Sequence, residues 1–521
     1  FTDVSIYALN MTTAMGLALA IDYSLFIVSR YREEIRNGAA PDDAVRRTMQ
    51  TAGRTVLFSA LTVGLSLAAL MVFPLFFLRS FAYAGIAVVA LATIAALVLL
   101  PATLTLLGTR IDSLDMRVFA RRLFRRPPPQ TKTVQQSFWY RVATAVMRRA
   151  LPIGLVVTAV LVALGLPFLN ASFGYPDDRV LPQSASSHQV GDDLRDGYRA
   201  NAASTISAVA TDIASAPSAI GNYAADLSRV DGVTSVVSAA GTFRGGVPVA
   251  GGSPAMRVGD ATYLDVHTDA DAQSSAATHL LAKVSAVDSP WPVAFGGAIA
   301  VNHDSLAALG HALPWALLLI ALATFIVLFL FTGSVVLPVK ALVLNTLSLS
   351  ATFGAMVWVF QDGHFSGLFS DLTTTGYLVP TMPPLMFCLA FGLSMDYEVF
   401  LLSRIREAWL ASGRTAADNE RAVAIGLGRT GRIVTAAALL MAIVFAAMAS
   451  SKVSFMMLFG TGLTLAVLMD ATVVRGILVP AFMKLAGRWN WWAPRPLARL
   501  HARIGLHEGP STPIVKEPVT V

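Results

Sequence analysis

The chain has 521 residues, 55% of them hydrophobic and only 14% charged, where a soluble domain carries about 25% charged. That balance, with several apolar runs of the ~17–25 residues a bilayer-spanning helix needs, excludes a cytosolic enzyme. The net charge of +7 does not indicate a nucleic-acid partner either: residues 170–313 hold fourteen Asp, no Glu and seven Lys/Arg, so the positive excess sits beside the apolar runs.

In chain order, nine spans are predicted, at roughly 9–29, 55–74, 82–107, 151–169, 313–331, 337–360, 381–403, 433–450 and 455–480. Arg30, Arg32, Arg36, Arg46, Arg47 and Arg54 separate the first two. Arg110, Arg117, Arg121, Arg122, Arg125 and Arg126 follow the third, and Arg404, Arg406, Arg414, Arg421, Arg429 and Arg432 separate the seventh and eighth. All three clusters are cytoplasmic at once only if the chain enters from outside and ends inside, which leaves Arg79 and Lys452 in short outer turns. Residues 1–107 then hold the last three spans of a first repeat, 108–150 a basic cytoplasmic linker around Pro127, Pro128 and Pro129, read as solvated in preference to an anionic-lipid site, and 151–169 one more span. The acidic stretch 170–313 falls outside the cytoplasm. Its β-rich runs Thr205–Ala210, Val233–Ser238 and Thr262–His267 alternate with helical windows such as Ala276–Val287, which reads as an α+β domain. His188, His267, His279, His303 and His311 are scattered and Cys388 is alone in an apolar run, so no metal, phosphate loop or other cofactor is expected. Residues 314–485 carry the spans of a second repeat, and 486–521 form a cytoplasmic tail. In the tail, Trp489, Trp491 and Trp492 read as an interfacial anchor, and disorder is expected around Pro510, Pro513 and Pro518.

The repeat is legible residue by residue. Asp22–Glu33 (DYSLFIVSRYRE) matches Asp396–Glu407 (DYEVFLLSRIRE) at seven of twelve positions, with an offset of 374. Gly53-Arg54 matches Gly431-Arg432, and Pro101-Ala102 with Gly108 matches Pro480-Ala481 with Gly487. Both copies run the same way through the membrane, so the repeat is parallel. Since the second copy is preceded by a domain and three spans and the first by almost nothing, about 200 residues are expected ahead of Asp22. On that reading the chain, which starts at Phe1, is a fragment or the downstream piece of a split transporter.

Asp22 and Asp396 lie within apolar spans, where an ionised carboxyl costs several kcal/mol and is functional by default. With Tyr23 and Tyr397 beside them, two matched carboxylates in one bundle suggest a proton relay, supported by Ser59 one span along. Adjacent residues point about 100° apart on a helix, so one member of each pair can face the other repeat. The competing reading is polar glue between helices. Asp470 and Arg475 read as a structural ion pair, and Glu398, whose counterpart is Ser24, has no assigned role.

At these residues the sequence resembles the MmpL branch of the resistance-nodulation-division superfamily. The resemblance covers nearly the whole chain and is most specific at Gly16–Glu34, Phe391–Glu407 and from Asp470-Ala471-Thr472-Val473-Val474-Arg475 to Trp491-Trp492-Ala493-Pro494. It implies a twelve-span inner-membrane exporter of lipids or other hydrophobic compounds, driven by protons, in the cell envelope of actinobacteria. In that picture the pairs Asp22, Tyr23, Asp396 and Tyr397 pass protons across the bundle, and the α+β domain is the second of two extracytoplasmic porter domains. An upstream fragment would supply the first porter domain and the missing spans. The alternative is a non-transporting scaffold or lipid sensor of the same superfamily; an enzyme is the least expected class.

Overall fold

A computed structural model describes residues 4–112, 133–197, 204–213, 217–364 and 374–504. Pro127–Pro129, the arginines from Arg117 to Arg126, and Pro510, Pro513 and Pro518 lie outside these residues. Three membrane-length helices come first: α1 (Ile6–Arg36), α2 (Pro41–Val72) and α3 (Phe76–Leu107). The short α4 (Phe138–Arg148) precedes α5 (Ala150–Asn170), again of spanning length. After the sheet domain, with its helices α6 (Ser186–Gly197), α7 (Ile220–Leu227) and α8 (Ser275–Ser285), come five more spans. These are α9 (Ala298–Thr332), α10 (Val336–Gln361), α11 (Met382–Leu410), α12 (Ala416–Ala449) and α13 (Ser454–Trp491), followed by the short α14 (Arg495–Ile504). Nine helices among the described residues are thus long and apolar enough to cross a membrane, and the protein is a multi-pass membrane protein.

Several helices overrun the apolar runs that announced them. α12 starts at Ala416 rather than near 433 because Thr415 caps it: its hydroxyl accepts from the Asp418 N–H at 3.2 Å, and the Asp418 carboxylate accepts from the Thr415 N–H at 3.0 Å. Hydropathy marks the part of a helix that lipid or core requires, whereas capping marks where the helix begins. α9 begins at Ala298, directly after the last strand, so the boundary expected at 313 falls inside one continuous helix.

The sheet contains β1 (Thr205–Ala210), β2 (Val233–Val237), β3 (Thr242–Arg244), β4 (Val247–Ala250), β5 (Arg257–Val258), β6 (Ala261–Thr268) and β7 (Val293–Gly296). The order is β4-β3-β2-β6-β1-β7, with β5 pairing β6 and every pairing antiparallel. Strand periodicity puts Thr262, Leu264, Val266 and Thr268 on the buried face of β6. That face packs, with Ile206, Ala208 and Val236, on Tyr223, Leu227, Leu280 and Val284 of α7 and α8.

In the bundle, α11 is the enclosed helix: 94% of its apolar window is buried, against 6% for α5, whose Leu155, Val156 and Val160 face outward. Polar groups on α11 are therefore surrounded by protein rather than lipid, a setting in which an intramembrane charge can find partners. The repeat is visible in the backbone too. Widened helical turns end at Leu99 in α3 and at Leu478 in α13, and the α-helical geometry of each gives way at a glycine of the same conformation, φ 51° at Gly108 and 53° at Gly487.

Residues 138–148 are not solvated linker. Trp139, Ala143 and Met147 recur every four residues, and α4 docks this stripe on α12, with Trp139 over Gly431. The tryptophans at the end of α13 also divide. Trp489 and Trp492 are exposed, as an interfacial anchor requires, but Trp491 stacks on Trp409 at 5.4 Å and donates to Asn419 Oδ1 at 3.1 Å, tying α11 to α12 and α13.

Candidate proton-relay site

α1 and α11 meet along their matched residues. Asp22 is set against Tyr397 and Asp396 against Tyr23, so the contact is reciprocal, as a pseudo-twofold between repeats demands. Both members of each pair thus lie toward the other repeat, where the 100° step between neighbours leaves room for one to face it directly. All four side chains are buried, Asp396 completely. Ser59 of α2 donates to Asp396 Oδ1 at 2.5 Å. Its counterpart at the same offset as Gly53 and Gly431 is Ala437, so only one carboxylate receives a serine. The Tyr397 hydroxyl donates to the Met441 thioether at 3.1 Å, a weak acceptor. No hydrogen bond of ordinary geometry reaches Oδ2 of Asp22, Oδ2 of Asp396 or the Tyr23 hydroxyl among the described residues, so each Asp lies beside the other repeat's Tyr without being bonded to it.

One turn further along both helices, the matched rings of Phe26 and Phe400 pack with centroids 3.8 Å apart. A turn beyond that, Arg30–Glu33 and Arg404–Glu407 repeat the same 2.9 Å ion pair, and Arg404 also reaches Glu33 at 2.9 Å. An aromatic layer and an ionic layer thus close the helix interface between the pairs and the C-terminal ends of α1 and α11.

Asp470, Arg475 and Glu398 stand where the first repeat has Leu91, Ala96 and Ser24. Arg475 pairs with Asp470 at 2.5 Å, as its spacing suggested. It also bonds to the Ser394 carbonyl and lies over the Tyr397 ring, 4.8 Å from the centroid, within electrostatic reach of both Asp22 and Asp396. Glu398 finds Lys340 of α10 at 2.5 Å, both side chains buried. Ser394 donates to Asn345 Oδ1 at 2.6 Å, and a small cavity beside Asn345, Ser348, Ser394, Tyr397 and Asp470 opens next to the pairs. Sequence reading missed Lys340 and the reach of Arg475. The available signal for Lys340 was one lysine inside an otherwise apolar run.

A separate charged cluster stands at the base of the sheet domain. Arg179 bonds Asp177 and Asp271 and lies 5.4 Å from the Tyr377 ring centroid, while Arg195 holds Asp178 at 2.6 Å. A bridge between Phe173 and Leu378 joins the same segments. Burial raises the pKa of Asp178 and Asp271, but bonds to the guanidiniums, and for Asp271 the Gln273 N–H, outweigh it and hold both below the usual carboxylate range.

Fold and site together define a helical membrane protein built on a parallel repeat, with matched Asp-Tyr pairs buried where the repeats meet and one α+β domain inserted before α9. The MMPL family profile matches residues 1–169 and 181–508, and the chain belongs to that family. It is 40% identical to a membrane protein of Streptomyces coelicolor over 97% of this chain and 66% of that one. It is 36% identical to the trehalose monomycolate exporter MmpL3 of Mycobacterium tuberculosis, over 98% of this chain and 55% of the relative. The heme uptake protein MmpL11 of the same organism is 34% identical, over 96% and 50%. The chain therefore spans between half and two thirds of the length of these relatives. A crystal structure of SecDF, a translocon-associated membrane protein from a Thermus species, superimposes with a TM-score of 0.48 at 15% identity, covering 91% of this chain and 54% of that one. That likeness is too distant to bear on function.

Proposed function

We propose that the chain forms part of a secondary transporter that exports lipids or other hydrophobic compounds across the inner membrane at the expense of a proton gradient. The observation that carries this is the reciprocal Asp22–Tyr397 and Tyr23–Asp396 contact, buried at the repeat interface. Arg475 is paired with Asp470, and neither Asp22 nor Asp396 has an ion-pair partner among the described residues, so a proton is the counter-charge that would neutralise each carboxylate in place. Moving a charge through the membrane potential supplies about 2.3 kcal/mol per 100 mV, and extracting a lipid costs about 0.8 kcal/mol per CH₂. A few protons per cycle would offset that cost for part of a chain. Work done at the pairs would reach the sheet domain through α9, which is unbroken from the last strand to Thr332. The mycolate ester and heme named for the relatives are both largely apolar, which supports a hydrophobic cargo.

The test is proton-coupled efflux in vesicles with an imposed gradient, with any segment encoded upstream of the chain co-expressed. Asp22→Asn and Asp396→Asn should each abolish transport and leave the protein as stable as wild type. If the pairs are only glue, as a scaffold would have them, Asn is tolerated and activity tracks stability; full activity in Asp22→Asn removes the relay. Sidedness is checked with an impermeant thiol reagent: cysteines at Ser187 and Ser274 should label from outside and one at Ser412 should not.

A further inference from the structure

α14 is placed and patterned for a ligand that the relay does not use. Its Arg495, Arg499 and Arg503 fall at i, i+4 and i+8 and share one side, while Leu500 and Ile504 share another. All five are exposed. No acidic residue occurs from Gly487 to Ile504, and none of the three arginines makes an ion pair among the described residues. The helix is held in position. His501 packs edge-on against Phe329, with ring centroids 5.9 Å apart, over Gly333 at the foot of α9. Gly333 has φ 73°, and a Cβ there would stand 2.9 Å from the His501 ring, so the close approach depends on glycine. Ser334 donates to the Asn490 carbonyl at 2.6 Å, and the Val335 N–H to that of Trp492 at 3.1 Å, which fixes the lead-in to α14 on the same foot. In that lead-in Trp489 and Trp492 are 66% and 45% exposed, the placement of residues that sit at headgroup depth.

We propose that α14 lies in the membrane surface and binds anionic phospholipid headgroups, with its arginine side on the phosphates and Leu500 and Ile504 in the acyl boundary. A leaflet rather than a protein is the occupant because the helix emerges directly from a span, beside exposed tryptophans, and its apolar stripe is flanked by uncompensated positive charge. Bound lipid would then hold the foot of α9, the helix that enters the sheet domain. The inference rests on the reading that this end of the bundle meets the bilayer surface, and is independent of proton coupling.

The experiment is hydrogen exchange on the full chain in nanodiscs of phosphatidylcholine alone and with about 30% phosphatidylglycerol, following the backbone of residues 495–504. Each arginine near an anionic surface is worth roughly five-fold in partitioning. Exchange in α14 should therefore slow at least about ten-fold in the anionic discs and recover in high salt. The R495Q/R499Q/R503Q variant should lose that difference while α11 stays as protected as in wild type. L500S/I504S should speed exchange in both lipids. Equal exchange of wild-type α14 in the two lipids, or an anionic effect that survives the triple variant, overturns the proposal. Loss of transport in Asp22→Asn alongside either result would leave the relay standing and remove only the lipid site.

Discussion

Replacing Lys340 with Met is expected to destabilise the bundle by about 3–5 kcal/mol, far more than removing the whole ion pair. Lys340 Nζ lies 2.5 Å from Glu398 Oε1, and the two side chains are 0% and 6% exposed. At that separation the attraction is roughly 7 kcal/mol for an effective dielectric near 20, but taking two charges out of water offsets most of it. The pair is thus near break-even, whereas a lone Glu398 carboxylate keeps its desolvation cost and loses its partner. Glu398→Met should be similarly costly, because it strands the ammonium. The double variant Lys340→Met/Glu398→Met should return to within about 1–2 kcal/mol of wild type, since it leaves two flexible apolar chains in a space they can fill. The assay is reversible unfolding in mixed micelles with increasing dodecyl sulfate, run on all four proteins as a double-mutant cycle. Single variants that cost less than about 1 kcal/mol, or a double variant as unstable as the sum of the singles, would refute the picture of a dry, compensated pair.

Three further outcomes are expected. Ser59→Ala removes the donor to Asp396 Oδ1 and should cost about 1–3 kcal/mol in the same unfolding assay, with Ser59→Cys in between; no change would mean that the hydroxyl does not support the carboxylate. The Asp178 and Asp271 carboxyls titrate below their unfolded value of about 3.9, so the stability they contribute is complete above it and is lost as pH falls through the lower folded values. Double replacement Arg179→Gln/Arg195→Gln should lower the sheet domain's stability at neutral pH and flatten its fall on acidification, read from fluorescence of the buried Trp291; an unchanged acid slope would count against the ion-pair account. Gly431→Leu would drive a side chain into Trp139, which stands 2.3 Å from where a Cβ would be, and should cost at least about 1–3 kcal/mol and expose α4 to trypsin at Arg141 and Arg148. Protection of those sites in the variant would show that α4 is not seated on α12.

Much of the molecule could be read from the chain alone, because each reading concerned one segment at a time. Nine apolar runs announce nine spans, since lipid tolerates no other cheap solution for the backbone. Strand periodicity located β1, β2 and β6 to within a residue or two. The duplication singled out Asp22, Tyr23, Asp396 and Tyr397, since an identical motif 374 residues away needs no structure to be seen. Helix ends, by contrast, lay beyond hydropathy, because Thr415 and Asp418 begin a helix whose first turns are charged. Only the packed bundle decided which groups meet. The swapped pairing of each Asp with the other repeat's Tyr depends on the rotation of α1 against α11, which no single-helix pattern encodes. Lys340 and Glu398 are 58 residues apart, and Ser59 and Asp396 are 337 apart. A lone lysine in an apolar run is as consistent with snorkelling as with burial until the neighbouring helix is in place. Arg475 looked complete with Asp470 five residues away; its reach over Tyr397 follows from the packing of α13 on α11. Burial and periodicity are properties of a segment, whereas charge compensation in a membrane belongs to the assembled interior, where the cost of an unpaired group selects the partners.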